Sequence, residues 1–301
     1  MIRIIVCFKQ AACLYSRAGI DPRGQIDPDS IVYIPNPYDE IAAEEALRIK
    51  ERLGHVEVIL ICLGPRRAES ALIYGLAMGA DRAIHICDEK LEKTDPWMTA
   101  KALAKVIESQ NFDLVLCGKK AIDDNEGIVG AFVAEFLNLP FVSSATDIAL
   151  REDEKKARAY QVLERGDRQL VESCLPAVVS VEKGATTPRY PTLCGRITAL
   201  RKPVLKLDWE SLAINPLFEH ASGTKGARVS LLRPKPKKTF IPDGSLTAEE
   251  RIRLIMSGGL MEKKSNSLKG SHQEMAERFI EFLEENHLIN KSGKDRGGAR
   301  R

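Results

Sequence analysis

The chain lacks the short signatures that mark the common hydrolases. No G-x-S-x-G, G-x-x-x-x-G-K-[ST] or H-E-x-x-H occurs in its 301 residues, which excludes a nucleophile elbow, a P-loop and a zincin helix. Its five histidines (His55, His85, His220, His272, His287) are scattered, with no second ligand at helical spacing, so a metal site is not expected. Aromatic residues make up only 6% of the chain, and the balance of 45 basic against 42 acidic residues leaves a formal charge of +3. That excess is too small for a dedicated nucleic-acid binder, which carries a strongly basic face. No apolar run approaches the ~20 residues of a membrane span. The seven cysteines include no C-x-x-C pair, and their odd number argues against a disulfide framework. Several sit inside apolar runs such as IIVCF and LVLCG, and read as buried free thiols of a reducing compartment. The start MIRIIVCFK has no charged n-region, h-region and cleavage site in sequence, so the expected location is the cytoplasm. A chain of this length buries roughly 75% of its unfolded surface and needs no covalent staple.

What is present is an alternation of short apolar runs and longer helical patterns. Ile2 to Phe8, Val56 to Leu63, Ala83 to Cys87 and Phe112 to Cys117 read as continuous buried strands, as in a parallel sheet covered on both faces. Helices lie between them. Asn36-Pro37 opens the first, with Asn at the N-cap, Pro at the first helical position and Asp39 near the positive dipole end. Gly54 closes it, and Glu44 and Glu45 fall on its charged, solvated side. A second helix follows Gly64-Pro65 and ends at Gly79, a third starts at Asp95-Pro96, and a fourth runs from about Glu126 to Leu137. Strand-like runs follow at Phe141 to Leu150, Arg158 to Leu163, Gln169 to Ser173 and Ala177 to Val181. The fold class is α/β, with an open, mostly parallel sheet.

The expected organisation is an α/β domain over 1–205, an arm with helices over 206–290 and a basic, disordered tail over 291–301. The Lys- and Arg-rich stretch Lys225 to Lys238 suits an extended arm, and Thr247 with Glu250 and Ser271 with Glu274 form capping boxes.

Ligands of open α/β sheets sit beyond the carboxyl ends of the strands, here the loops after Phe8, Leu63 and Cys117. The strongest local candidate is Gly118 to Gly130 (GKKAIDDNEGIVG), which leaves a strand and enters a helix. Such a loop aims free backbone N–H groups at a phosphate. Gly127 and Gly130 allow close approach, and Asp123 and Asp124 suit ribose hydroxyls. The competing reading is that both acids only cap the helix.

Several phrases, in order and spacing, resemble the β subunit of electron transfer flavoproteins: IIVCFKQ at the start, NPYDEIAAEEALRIKE at Asn36 to Glu51, LGPRRAE at Leu63 to Glu69, GLAMGADRA at Gly75 to Ala83, GKKAIDD at Gly118 to Asp124 and LPAVVSVEKGATTPRYPTL at Leu175 to Leu193. The resemblance runs from Met1 to about Pro203. It implies a Rossmann-like sheet of the adenine nucleotide alpha hydrolase-like kind, and a subunit paired with a larger α subunit. The pair holds FAD mostly on the α side, takes electrons from acyl-CoA or other dehydrogenases and passes them to a quinone oxidoreductase or another acceptor. The β subunit itself holds AMP and is no enzyme. In a bifurcating, NADH-linked subgroup a second FAD replaces the AMP.

By this resemblance the nucleotide pocket falls on Cys7, on Asn36, Pro37, Tyr38 and Asp39, on Leu63, and on Asp123, Asp124, Asn125, Glu126, Gly127, Ile128, Val129, Gly130, Ala131 and Ala134. A partner-docking loop falls on Val181 to Pro203, with Leu193 as anchor beside Thr192 and Ile197, on the turn Pro188-Arg189-Tyr190-Pro191. Two departures stand out. Gly127-Ile128-Val129 replaces a polar stretch usual in the family, and Glu126 sets an acid near the expected phosphate. Outside the family, the rival is a stand-alone nucleotide-binding module of the universal-stress type, a homodimer that needs no α chain.

Overall fold

The computed structural model describes residues 1–13, 31–88, 94–212, 242–256, 270–285 and 288. The chain divides into two compact units, Met1–Leu231 and Leu232–Arg301. The expected arm over Lys225 to Lys238 and the tail over 291–301 lie outside the described residues.

The first unit runs β1 (Ile2–Cys7), β2 (Gln10–Cys13), β3 (Val32–Pro35), α1 (Pro37–Leu53), β4 (Val56–Gly64), α2 (Glu69–Met78), β5 (Arg82–Cys87), α3 (Pro96–Glu108), β6 (Leu114–Gly118) and α4 (Val129–Leu137). It continues through β7 (Phe141–Arg151), β8 (Lys156–Val162), β9 (Arg168–Cys174), β10 (Ala177–Val181), α5 (Leu193–Ala199) and β11 (Val204–Leu207). Among the described residues, nine strands form one sheet in the order β11-β5-β4-β1-β6-β10-β7-β8-β9, while β2 and β3 form a separate ribbon. Pairing is parallel from β11 through β7, and antiparallel at β7–β8 and β8–β9.

Apolar burial explains the layering. Side chains alternate across a strand, so Ile4, Val6 and Phe8 face a core shared with α1 and α2. Ile5 and Cys7 face the opposite core, shared with α3 and α4. The strands are therefore apolar on both faces, as their sequence demands. The chain steps outward from β1 through β4 to β5, then returns to place β6 on the other side of β1. That reversal parts the connections and opens a crevice at the carboxyl ends of β1 and β6.

Helix starts follow the cap-then-proline reading only in part. Asp95 caps α3, its side chain accepting from the Met98 N–H at 2.8 Å. Asn36 holds the N-cap position of α1, but its side chain makes no cap bond. It donates to the Lys120 carbonyl at 3.0 Å and accepts from the Ile122 N–H at 3.3 Å. The fourth helix begins at Val129 rather than Glu126, because Asn125 (φ 58°) and Gly127 (φ 67°) are left-handed and cannot start a right-handed helix.

Two further expectations are corrected. Glu44 and Glu45 are buried, not solvated, because α1 is enclosed almost all round and each acid has an arginine close by, Arg189 for Glu44 and Arg48 for Glu45. Of the cysteines, all free, Cys174 and Cys194 are exposed while Cys7, Cys62 and Cys117 are buried. Cys174 lies on an edge strand and Cys194 on the outer side of α5.

The second unit contains α6 (Ala248–Met256) and α7 (His272–Glu285). Both capping boxes form. The Thr247 N–H donates to Glu250 at 2.9 Å and the Ser271 N–H to Glu274 at 2.9 Å. Among the described residues no helix is long and apolar enough to cross a membrane.

One buried group ties this fold to pH. His85 on β5 is fully buried, with Nε2 3.2 Å from the Gly64 carbonyl and Nδ1 unpaired. Burial holds its pKa below the ordinary 6.5, outweighing the Gly64 carbonyl and Glu69, while Lys206 adds to the depression. The folded chain thus resists a proton that the unfolded chain accepts, and the contribution of His85 to stability is lost as pH drops below about 6.5. His85→Gln, which cannot titrate, should gain stability relative to wild type as pH falls, a difference in which the carboxyl groups common to both proteins cancel, as measured by thermal unfolding of the two between about pH 8 and 5.5.

Candidate functional site

A cavity of about 520 Å³ lies at the carboxyl ends of β1, β4 and β6, at the position where the strand order reverses. Its size falls within the ~300–1,000 Å³ of small-molecule and cofactor sites. The floor includes Cys7, Cys62 and Cys117. Burial, with Asp39 nearby, pushes Cys7 up to about 12, and burial does the same for Cys62. Such thiols stay protonated and inert; they fill space.

Asp39 organises the crevice. Its carboxylate is buried and accepts the Lys9 N–H at 2.8 Å and the Gly118 N–H at 3.0 Å. One side chain thereby joins the loops after β1 and β6 to the first turn of α1. Loss of solvation pushes its pKa up to about 7, against the pull of these N–H donors, Asn36 and Lys9 toward the charged form. Gly118 is required by this contact, since a Cβ there would lie 2.3 Å from Asp39 Oδ1 and 2.6 Å from Tyr38 Cβ.

Across the mouth, Lys9 Nζ bridges Asp123 at 2.8 Å and Asp124 at 2.7 Å. Burial disfavours its charge, but the two carboxylates outweigh that and raise its pKa. These acids do not cap α4. Asp124 accepts the Glu126 N–H at 3.2 Å instead, and the N-cap position, Ile128, makes no side-chain cap bond. The first N–H groups of α4 are left open beside Gly127, Val129 and Gly130, which line the cavity. An uncapped helix start with glycines in front of it suits a phosphate. Glu126 is exposed and also lines the cavity.

Of the residues expected in a nucleotide pocket, Cys7, Asn36, Asp39, Leu63, Asp123, Asp124, Glu126, Gly127, Val129 and Gly130 line this cavity. Pro37, Tyr38, Asn125, Ile128, Ala131 and Ala134 do not. Ala134 packs into the core on α4. Sequence reading missed Lys9 as a bridging group, Arg67, and the start of α3 at Thr94, Asp95 and Thr99. The last was available: Asp95-Pro96 opens a helix after a strand, and its loop ends at the same rim.

The expected docking residues gather elsewhere. Tyr190 and Leu193 are 78% and 74% exposed, and Ile197 and Leu200 follow them on α5 and at its end, also exposed. Without the resemblance Leu193 would be read as core; it stands in solvent. Thr192 caps α5, accepting the Gly195 N–H at 3.0 Å. Pro188 and Arg189 precede this ridge, and the Arg196 guanidinium lies over the Tyr190 ring, 5.2 Å from its centroid.

Fold and cavity together define a doubly wound α/β protein with a nucleotide-sized crevice at its switch point. A family model described as "Electron transfer flavoprotein domain" matches residues 24–210. The chain is 31% identical over 244 residues to the electron transfer flavoprotein subunit beta of Methylophilus methylotrophus, covering 80% of this chain and 89% of that one. It is 30% identical over 293 residues to the acryloyl-CoA reductase electron transfer subunit gamma of Anaerotignum propionicum, covering 96% and 100%. It is 34% identical over 206 residues to the human electron transfer flavoprotein subunit beta, covering 67% and 80%. The chain belongs to the electron transfer flavoprotein family, as a beta-type electron-transfer subunit.

Asp39→Asn tests the organising contact. Both carboxylate oxygens accept an N–H, so either orientation of the amide sets an NH₂ against a buried donor. We expect a loss of about 1–3 kcal/mol in denaturant unfolding, with Glu40→Gln as the neutral comparison on the same turn.

Proposed function

We propose that the chain is the β subunit of a heterodimeric electron transfer flavoprotein in the cytoplasm. It holds AMP in the cavity at the strand ends and forms one wall of the FAD site of an α subunit. The pair relays electrons from acyl-CoA or other dehydrogenases to a quinone oxidoreductase or another acceptor. The observation that carries the nucleotide reading is the uncapped start of α4 beside Gly127 and Gly130, opening into a cavity of about 520 Å³. In that arrangement the N–H groups of Val129 and Gly130 hold the phosphate, and Asp123, Asp124 and Lys9 stand over the mouth. The flavin, when bound, supplies all redox chemistry. This chain's residues bind, orient and exclude water, and the high-pKa thiols of the floor exchange no protons near neutrality.

Electron delivery needs a donor held close. The exposed ridge Tyr190, Leu193, Ile197 and Leu200 supports docking of a dehydrogenase: small, apolar and pre-shaped by a capped helix. The arm beyond Leu207 packs on the α subunit, supported by the apolar residues that α6 and α7 leave exposed, such as Ile252, Ile255, Phe279 and Ile280.

A second reading, with a second FAD in place of AMP, draws on relatives named as parts of reductase systems. One is the acryloyl-CoA reductase subunit above; another is the caffeyl-CoA reductase-Etf complex subunit CarD of Acetobacterium woodii, 34% identical over 217 residues. Release of all nucleotides from the co-purified heterodimer separates the two. One AMP with one FAD supports the carrier, two FAD support the second reading, and an empty cavity refutes the nucleotide assignment. Leu193→Ala should raise the KM for reduction by the dehydrogenase roughly tenfold, as for an interface hot spot, without loss of flavin. Unchanged kinetics would remove the docking role.

A further inference from the structure

The exposed ridge is preceded by an ion-pair cluster that its docking role does not itself require. Arg189 turns inward onto α1. Its Nε and one Nη donate to the two oxygens of Glu44 at 2.8 and 2.9 Å, its backbone N–H donates to the same carboxylate at 3.1 Å, and its other Nη donates to Glu51 at 2.5 Å. Glu44 is 5% exposed. A fork-to-fork pair to a buried carboxylate is directional as well as strong, unlike an exposed ion pair. Close by, Arg48 of α1 donates to Thr186 at 2.9 Å. At the far end of the segment, α5 sits directly on α2. A Cβ on Gly195 would lie 2.6 Å from the Ala77 carbonyl oxygen, and Lys202 donates to the Ala80 carbonyl at 2.7 Å.

We propose that Arg189 is the positioning residue of the ridge: by clamping the 186–192 segment to Glu44 and Glu51 of α1, while Gly195 lets α5 seat on α2, it fixes where Tyr190 and Leu193 stand before any partner arrives. Arg189 touches no cofactor or reacting atom; it acts through Tyr190 and Leu193. Ordering the ridge in advance removes an entropic cost that docking would otherwise bear. The inference rests on the docking role of Leu193 given above, but its first test does not depend on it.

Complete removal of the guanidinium would strand Glu44 as a buried charge and threaten the fold. The informative variants are Arg189→Lys, which keeps charge and loses the fork, and Glu44→Gln, which keeps an acceptor and loses charge. In the full-length protein, amide hydrogen exchange over residues 186–200 should quicken about tenfold or more in both variants, with β1, β4 and β6 unchanged. Leu193→Ala should leave that exchange as it is. Exchange equal to wild type in both clamp variants overturns the proposal. With the dehydrogenase that reduces the wild-type heterodimer as donor, Arg189→Lys should raise KM about tenfold at constant kcat. Added to Leu193→Ala, it should change KM by much less than it does alone, because one of the two aimed groups is gone. Full additivity would show a merely structural role and also overturns it. If exchange quickens but neither Arg189→Lys nor Leu193→Ala alters KM, the clamp stands and the docking role of Leu193 falls.

Discussion

The crevice depends on one buried carboxylate. Parallel strands end in loops whose backbone N–H groups lose their sheet partners, and at the switch point the loops after β1 and β6 separate. Asp39 accepts one N–H from each, and Asn36 ties in the loop beyond Gly118 through the Lys120 carbonyl and the Ile122 N–H. The first turn of α1 thus serves as a polar plug that satisfies donors on both sides of the cavity while leaving the start of α4 open. Charge in that place is costly, which is why the carboxyl rests near 7 rather than in the usual range.

Most of the fold was legible because its signals are local. Runs such as VEVILICL are too apolar for a one-faced sheet, and Asp95-Pro96 and Asn36-Pro37 mark helix starts by steric and hydrogen-bonding rules that need no distant partner. The three strands between Phe141 and Ser173 and the capping boxes at Thr247 and Ser271 were readable for the same reason. What escaped was set by residues far along the chain. Glu44 and Glu45 look like any charged helix face. The arginine that neutralises Glu44 lies 145 positions later, so composition and periodicity carry no trace of it. Asn36 likewise looks like a cap but spends its side chain on a loop more than eighty residues away.

The candidate site divides along the same line. Strand-end logic located the loops after Phe8, Leu63 and Cys117, and all three reach the cavity. It offered two uses for Asp123 and Asp124, sugar binding or capping. The structure shows a third, an ionic bridge to Lys9. Side-chain pairing between loops is a matter of tertiary placement, and a single sequence carries little about it. The ridge around Leu193 was reached only by resemblance, since an exposed leucine has no local signature.

Helix α1 makes distant stretches of this unit depend on one another. Three carboxylates, Asp39, Glu44 and Glu45, sit buried in a helix near the beginning of the chain. Asp39 meets its second donor only at Gly118, and Glu44 its counter-charge only at Arg189. Seating the helix without those partners would immure unpaired anions in apolar surroundings, which is strongly unfavourable. The helix and these distant partners therefore settle as one cooperative unit rather than piece by piece.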